Sequence, residues 1–278
     1  MNIKLLVFLV FLFFFALNLS AQSLNIVSWN LKDFGQSRDD EEIELIAEQL
    51  RDADVVAIQE VVAKHPGGAK AVARLASELN NKGSNWDYSI SNPTKSSSPY
   101  QSERYAFLWK KSKVSVTDGG PRLVRELAIQ VEREPYRISL KNKSGKVITI
   151  VNYHACTHKK DFPERTEINS ISNWLLVQNF ENIIWAGDMN LKITDQAFKS
   201  ILASEFSSVL NGEKTSLKTK CIGGNYLSRA EDNVLYKLSN WKFNTGNVLD
   251  FIKIGNCEEV EWKRVSYSDH LGVMVTIE

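Results

Sequence analysis

Along this chain, short apolar runs alternate with segments of helical spacing, and several of the apolar runs stop on a polar residue. Leu24–Trp29 predicts a strand that ends in Asn30. Asp39–Leu50 sets Ile43, Ile46, Ala47 and Leu50 at helical spacing, with acidic residues in the first turn. Asp54–Glu60 (DVVAIQE) predicts a buried strand closing on a carboxylate, and Gly68–Leu79 an amphipathic helix. Ser91–Ser102, rich in Ser, Pro and Asn, predicts an exposed loop. Arg104–Trp109 with Val114–Val116 predicts one hairpin. Tyr136–Leu140 with Val147–His154 predicts another, turning at Asn142–Gly145. A helix over Pro163–Val177, a buried strand Asn182–Gly187 running into Asp188, and a short helix Asp195–Leu202 follow. Ser207–Glu231 is polar and loop-rich, and Asn233–Leu238, Lys242–Val248 and Leu271–Ile277 predict the late strands. No repeat and no linker divides the pattern. It predicts an α/β fold of layered sandwich type, with mixed sheets inside and helices outside.

The start of the chain stands apart. Lys4 precedes an apolar run from Leu5 to Leu17, and small polar residues lead to Ser20-Ala21. That is the layout of a cleaved secretory signal, and the run is shorter than the roughly 20 apolar residues of a spanning helix. Residues 1–21 are therefore expected to be removed, leaving a domain of residues 22–278 that is secreted or periplasmic, with no stable membrane anchor. The 278-residue chain is 43% hydrophobic and 24% charged, which excludes disordered, collagenous and multi-span membrane classes. With 34 Lys and Arg against 33 Asp and Glu the net charge is +1, and loss of Lys4 brings it to zero. Such a chain does not coat a polyanion broadly; affinity for phosphate must be concentrated at one site. Cys156, Cys221 and Cys257 allow at most one internal bridge and leave one thiol, and their spacing forms no zinc site.

The chemistry lies at the strand ends. Asn30, Glu60, His154, the pair Asp188 and Asn190, and the pair Asp269-His270 stand on five separate segments. One polar residue after an apolar run is ordinarily a turn or cap. Five such positions, all Asn, Asp, Glu or His, are not explained by capping. Glu60, Asp188, Asp269 and the amides of Asn30 and Asn190 are hard oxygen donors, suited to Mg²⁺, Mn²⁺ or Ca²⁺ rather than zinc. His154 and His270 can carry protons near neutral pH. A divalent cation with two histidines is an apparatus for phosphate-ester hydrolysis, one histidine taking a proton from water and the other protonating the leaving oxygen.

These residues lie in motifs that together resemble the endonuclease/exonuclease/phosphatase superfamily, in its deoxyribonuclease-I-like branch. The motifs are NIVSWNLKDFG (Asn25–Gly35), IQEV (Ile58–Val61), SERYAFLW (Ser102–Trp109), EREP (Glu132–Pro135), NYHACTH (Asn152–His158), GDMN (Gly187–Asn190), EDNVLY (Glu231–Tyr236) and SDH (Ser268–His270). They follow the family order from Leu24 to Ile277. The resemblance implies a four-layered α/β sandwich, two packed mixed β-sheets flanked by helices, and a metal-dependent endonuclease acting on DNA as a monomer. It implies Glu60 as principal metal carboxylate with Asn30 and Asp269 beside it. Asp188 and Asn190 would position the phosphate, the water or a second metal. His270 would pair with Asp232 and His154 with Glu103, each carboxylate fixing an imidazole. In this reading His270 is the base and His154 the acid, an assignment of direction that stays open. Arg133 resembles a phosphate-binding arginine.

Three departures concern the substrate. Val62 stands where the branch places a groove-entering arginine, Tyr100 precedes Glu103 by three residues instead of two, and Ile193 replaces the cysteine after GDxN. They leave the catalytic set intact and weaken the case for a duplex-DNA grip. His154 also separates the chain from abasic-site endonucleases, which carry Tyr in that region. The alternatives are a phospholipid headgroup or inositol phosphate as substrate on the same fold, and a non-catalytic scaffold. No apolar membrane-binding hairpin and no basic cluster supports the lipid case, and a scaffold has no physical need for the metal and histidine positions.

Overall fold

The computed structural model describes residues 23–117, 119–157, 163–252 and 257–278. The signal segment and His158 lie outside the described residues. In chain order the strands are β1 (Leu24–Phe34), β2 (Val55–Val62), β3 (Trp86–Ile90), β4 (Glu103–Lys110), β5 (Val114–Val116), β6 (Arg122–Leu123), β7 (Tyr136–Asn142), β8 (Val147–His154), β9 (Ile183–Asp188), β10 (Ser207–Ser208), β11 (Leu217–Ile222), β12 (Asn225–Leu227), β13 (Asp232–Lys237), β14 (Phe243–Leu249) and β15 (Gly272–Ile277). The helices are α1 (Asp40–Leu50), α2 (Gly67–Asn81), α3 (Glu164–Leu176), α4 (Lys199–Leu202) and α5 (Cys257–Ser266).

Two mixed sheets pack face to face. The first runs β14-β15-β1-β2-β4-β3, and the second β10-β13-β9-β8-β7-β5 with β6 beside β7. Among the described residues only β1/β2 and β8/β9 pair in parallel, so the C-terminal ends of those four strands open at one edge. Each central strand divides its residues between two cores. In β1, Ile26 enters the core between the sheets, whereas Val27 and Trp29 face α1 and α2. In β9, Ile184 and Ala186 face the first sheet, whereas Ile183 and Trp185 face α3 and α4. Burial on both faces is why these strands read as continuous apolar runs. The three cores separate helix, sheet, sheet and helix layers. The four-layered α/β sandwich is thus the architecture of the molecule.

Local signals act as expected at α1. Asp39 Oδ1 accepts from the Glu42 amide at 2.8 Å and the Asp39 amide donates to Glu42 Oε2 at 3.2 Å, a capping box. The first predicted hairpin is corrected. β4 pairs with β2 and β3 in the first sheet, whereas β5 pairs with β7 in the second. The turn at 111–113 therefore carries the chain from one sheet to the other, and Trp109 and Val114 bury in the core between them. The loop over Ser207–Glu231 is corrected in part, because it contains the β11/β12 hairpin, and the sequence reading also omits β3 and α5. Cys221 on β11 is bridged to Cys257 at the start of α5, and Cys156 is a buried thiol outside that bridge. Among the described residues no helix is long and apolar enough to cross a membrane.

Candidate active site

Strand register assembles the site. On neighbouring strands His154 stands opposite Asp188, and Asp188 opposite Asp232, so three functional residues share one row. Asn30 stands on β1 across from Gln59, where the register shifts before Phe34 pairs with Val61, and next to Glu60 on β2. Asn30 bridges the two sheets: its Nδ2 donates to Glu60 Oε1 at 2.8 Å and to Asp188 Oδ2 at 3.1 Å. Beneath it, Gln59 Nε2 donates to Asn152 Oδ1 at 2.6 Å, and Asn152 Nδ2 to the Ile58 carbonyl at 3.0 Å. Buried side-chain amides thus lock the register of one sheet against the other directly under the site.

Backbone strain is concentrated here. Lys32, Asp33, Glu60 and Asn190 have φ of 32°, 48°, 60° and 50°, a left-handed region costly to residues with a Cβ. The strained turn is used: the Asp33 amide donates to Glu60 Oε2 at 3.1 Å and the Lys32 amide to Asn30 Oδ1 at 3.0 Å. Arg38 holds that turn in place. Its buried guanidinium donates to the carbonyls of Leu31 and Lys32, both at 3.0 Å, and to that of Val265 at 2.7 Å. The end of β1 is thereby tied to the segment that carries Asp269 and His270. Ser268 adds a second tie, its hydroxyl donating to the Asn30 carbonyl at 2.6 Å and accepting the His270 amide at 3.1 Å.

Both histidines are anchored through Nδ1. His154 Nδ1 lies 3.0 Å from Glu103 Oε2, and His270 Nδ1 lies 2.8 Å from Asp232 Oδ2. Thr215, fully buried, donates its hydroxyl to the same Asp232 oxygen at 2.7 Å and accepts the Asp232 amide at 3.0 Å. Each Nε2 points to the middle, 3.7 Å from Asp188 Oδ2. Burial works against a charge on His270, but Asp232 and Asp188 outweigh it and hold the imidazole well above its ordinary pKa. His154 moves in the same direction, with Glu103 outweighing burial. Asp188 is buried, which disfavours its charge, yet the two facing imidazoles pull its pKa down.

Glu60, Glu103, Arg133, His154, Asp188 and His270 line one cleft of about 390 Å³, together with Asn190. Asn190 Nδ2 donates to the Ala155 carbonyl at 2.8 Å, and its amide to Asp188 Oδ1 at 2.9 Å. Asn30 and Asp232 stand behind that wall and act on it through Glu60, Asp188 and His270. Two expectations change in detail. Asp269 does not line the cleft; its Oδ2 accepts Lys32 Nζ at 2.7 Å and Arg264 Nη2 at 3.1 Å. Arg133 lines the cleft, but its Nε bonds to the Gln101 carbonyl at 3.0 Å and its Nη1 to the Ala155 carbonyl at 3.3 Å, so it serves as a strut under the His154 strand end. Sequence reasoning missed Arg38, Thr215, Lys64, Arg229 and Glu231. Only Glu231, beside Asp232 in EDNVLY, lay within a quoted motif.

The donor set fits a hard divalent cation. Glu60 and Asp188 accept from one amide nitrogen and so stand side by side at the cleft, with the His154 Nε2 4.0 Å from Glu60 and 3.7 Å from Asp188. Oxygen atoms of Asp188 and Asp232 and a nitrogen of His270 also lie within 4.8 Å of one another. The carboxylate oxygens of Glu60 and Asp188 are hard donors, of the kind that suit Mg²⁺, Mn²⁺ or Ca²⁺.

A family model described as the endonuclease/exonuclease/phosphatase family matches residues 27–270. This chain belongs to that family. Solved structures share its fold. A family member from Bacteroides vulgatus superposes with TM-score 0.64 at 13% identity, covering 92% of this chain and 98% of that one. D. rerio TDP2 complexed with single strand DNA product gives 0.62 at 15% identity, covering 92% and 99%. A mannosyl-6-phosphatase from Bacteroides thetaiotaomicron gives 0.60 at 14% identity, covering 92% and 99%. No curated protein matches the chain by sequence. The family is one of phosphoester hydrolases, and the sequence resemblance at its broad level is correct.

Proposed function

We propose that the protein is a divalent-metal-dependent phosphodiesterase that hydrolyses nucleic acid, with DNA as the expected substrate. The observation that carries this reading is the opposed pair of histidines. Each is anchored by a carboxylate through Nδ1, and each presents Nε2 toward Asp188 at 3.7 Å. A pair disposed on two sides of one point suits proton transfer to and from two different oxygens of a phosphodiester. Glu60 and Asp188, with Asn30 behind them, would hold the metal, which when bound supplies charge neutralisation at the non-bridging oxygens. In its neutral form His270 would take the proton of the attacking water on Nε2, and Asp232 would stabilise the resulting imidazolium. His154 gives its Nε2 proton to the departing alkoxide, with Glu103 fixing the tautomer. Asn190, held by Ala155 and Asp188, offers a fixed amide to the phosphate.

The signal pattern of residues 1–21 and the Cys221–Cys257 bridge both suit an oxidising compartment, so we place the mature protein in the periplasm or the medium. The test is a substrate panel on the purified protein with Mg²⁺: supercoiled plasmid, oligonucleotides, phospholipid and inositol phosphates. Nicking of plasmid and cleavage of oligonucleotides are expected. Hydrolysis confined to lipid or inositol phosphates would replace the substrate, and no turnover of any of them would favour a binding scaffold.

A further inference from the structure

The catalytic cleft is the middle of a longer trough. On one side it opens into a recess of about 380 Å³ walled by Thr94–Ser98 and Pro99, and on the other into a recess of about 370 Å³ walled by Lys192, Thr194 and Asp195. One cation stands at each junction. Lys64 lines both the cleft and the serine-rich recess. Arg229 lines both the cleft and the opposite recess.

Both cations are exposed, and each has one partner that limits its motion. Lys64 Nζ sits 3.1 Å from the ring centroid of Tyr100, whose own ring is 82% exposed at the rim. Arg229 Nη1 pairs with Glu231 Oε1 at 3.1 Å; Glu231 is 5% exposed and its other oxygen accepts the Ser216 hydroxyl at 3.0 Å. A fixed cation loses little freedom when an anion arrives. The serine-rich wall is equally fixed from below. The Lys95 amide donates to Glu134 Oε2 at 2.6 Å, and the Ser97 amide and hydroxyl to Glu132 Oε1 at 2.8 and 2.7 Å, both carboxylates being buried. Lys95 and Lys192 extend the positive flanks beyond the two junctions.

The charge pattern is thus acidic at the centre, where a metal would sit, and cationic on both sides. A small phosphomonoester needs the centre alone. A strand with a phosphate on each side of the scissile one needs all three stations. We propose that Lys64 and Arg229 bind the phosphates flanking the scissile bond, so that the substrate is an extended nucleic-acid strand lying across the three recesses. Such phosphate contacts position a strand without reading its sequence. This inference rests on the phosphodiesterase reading and names the part of that substrate which the flanks recognise.

The test measures kcat/KM with Mg²⁺ on thymidine oligomers carrying one, three and nine phosphodiester linkages. The value per linkage is expected to rise about tenfold or more from one linkage to three, the worth of one or two charge-assisted contacts. Lys64→Gln and Arg229→Gln should each lower the ratio of the three-linkage to the one-linkage value by about tenfold. Each should also flatten the log–log salt slope for the longest oligomer by about 0.7, as loss of one single-strand phosphate contact does. Lys64→Arg and Arg229→Lys should restore most of the ratio. Efficient hydrolysis with the same value per linkage at every length would overturn the trough and leave the phosphodiesterase reading standing. Ratios that stay within about threefold of wild type in both glutamine variants would do the same. No hydrolysis of any oligomer would remove both.

Discussion

At the scale of single residues, the site depends on imidazoles held by carboxylates. His154→Ala and His270→Ala are each expected to lower kcat by about 10²–10⁴, with the unfolding temperature changed by only a few degrees. Near-native rates in both variants would remove the acid–base roles. The same pairs make a thermodynamic prediction. Both imidazoles have a raised pKa in the folded protein. Their stabilising contribution is therefore full below the unfolded value of about 6.5 and is lost as pH rises through the higher folded value. Chelator-treated protein should melt at a progressively lower temperature as pH rises above about 6.5, and His270→Gln should flatten that trend. A wild-type profile that is flat or rising over this range would contradict the pairing. Cys156 belongs to the opposite class. Burial, then Glu167, pushes its thiol up to about 12, so it is inert in the folded protein.

At the scale of elements, the close approach of β8 and β9 sets the spacing of His154 and Asp188. Gly187, at φ 148°, makes that approach; a Cβ there would land on the Tyr153 carbonyl oxygen. Gly187→Ala should destabilise the protein by about 3 kcal/mol or more, read from a denaturant melt, because backbone on both sides must move. A loss under about 1 kcal/mol would mean that the strands are free to separate. The Cys221–Cys257 bridge joins two elements that have little core of their own, the β11/β12 hairpin and α5. It spans 36 residues, and its removal by Cys257→Ser should cost about 3–4 kcal/mol in a chain-entropy account. Thiol titration in denaturant without reductant should find one thiol per chain; three would exclude the bridge.

These same elements show where the sequence was legible. β1, β2, β8 and β9 could be read because burial on both faces makes long apolar runs, and their polar ends then stand out as Asn30, Glu60, His154 and Asp188. The β11/β12 hairpin is largely exposed and polar, and α5 buries only Val260 and Ser266 by its apolar face, so neither has a clear period. The false hairpin after β4 had the right strands and the wrong partner, since a short turn between strands does not say whether they stay in one sheet. Chemistry carried by a strand end was readable. Chemistry carried by long-range pairing was not. Lys32 and Arg264 on Asp269, Arg38 across the Leu31 and Val265 carbonyls, and Arg229 on Glu231 depend on contacts that no local pattern encodes.

At the scale of the whole molecule, two stacked sheets bring five sequence segments to one edge, where a cleft joins an acidic centre to two histidines. The central claim is that this edge is a metal-dependent phosphodiesterase site, and the rate of bis(4-nitrophenyl) phosphate hydrolysis by the purified protein tests it most directly. The rate is measured as Mg²⁺ is added, then as EDTA is added in excess, then as Mg²⁺ is restored. We expect saturable activation, loss to background, and recovery. Turnover that persists in EDTA, or no turnover with Mg²⁺, Mn²⁺ or Ca²⁺, would contradict the account.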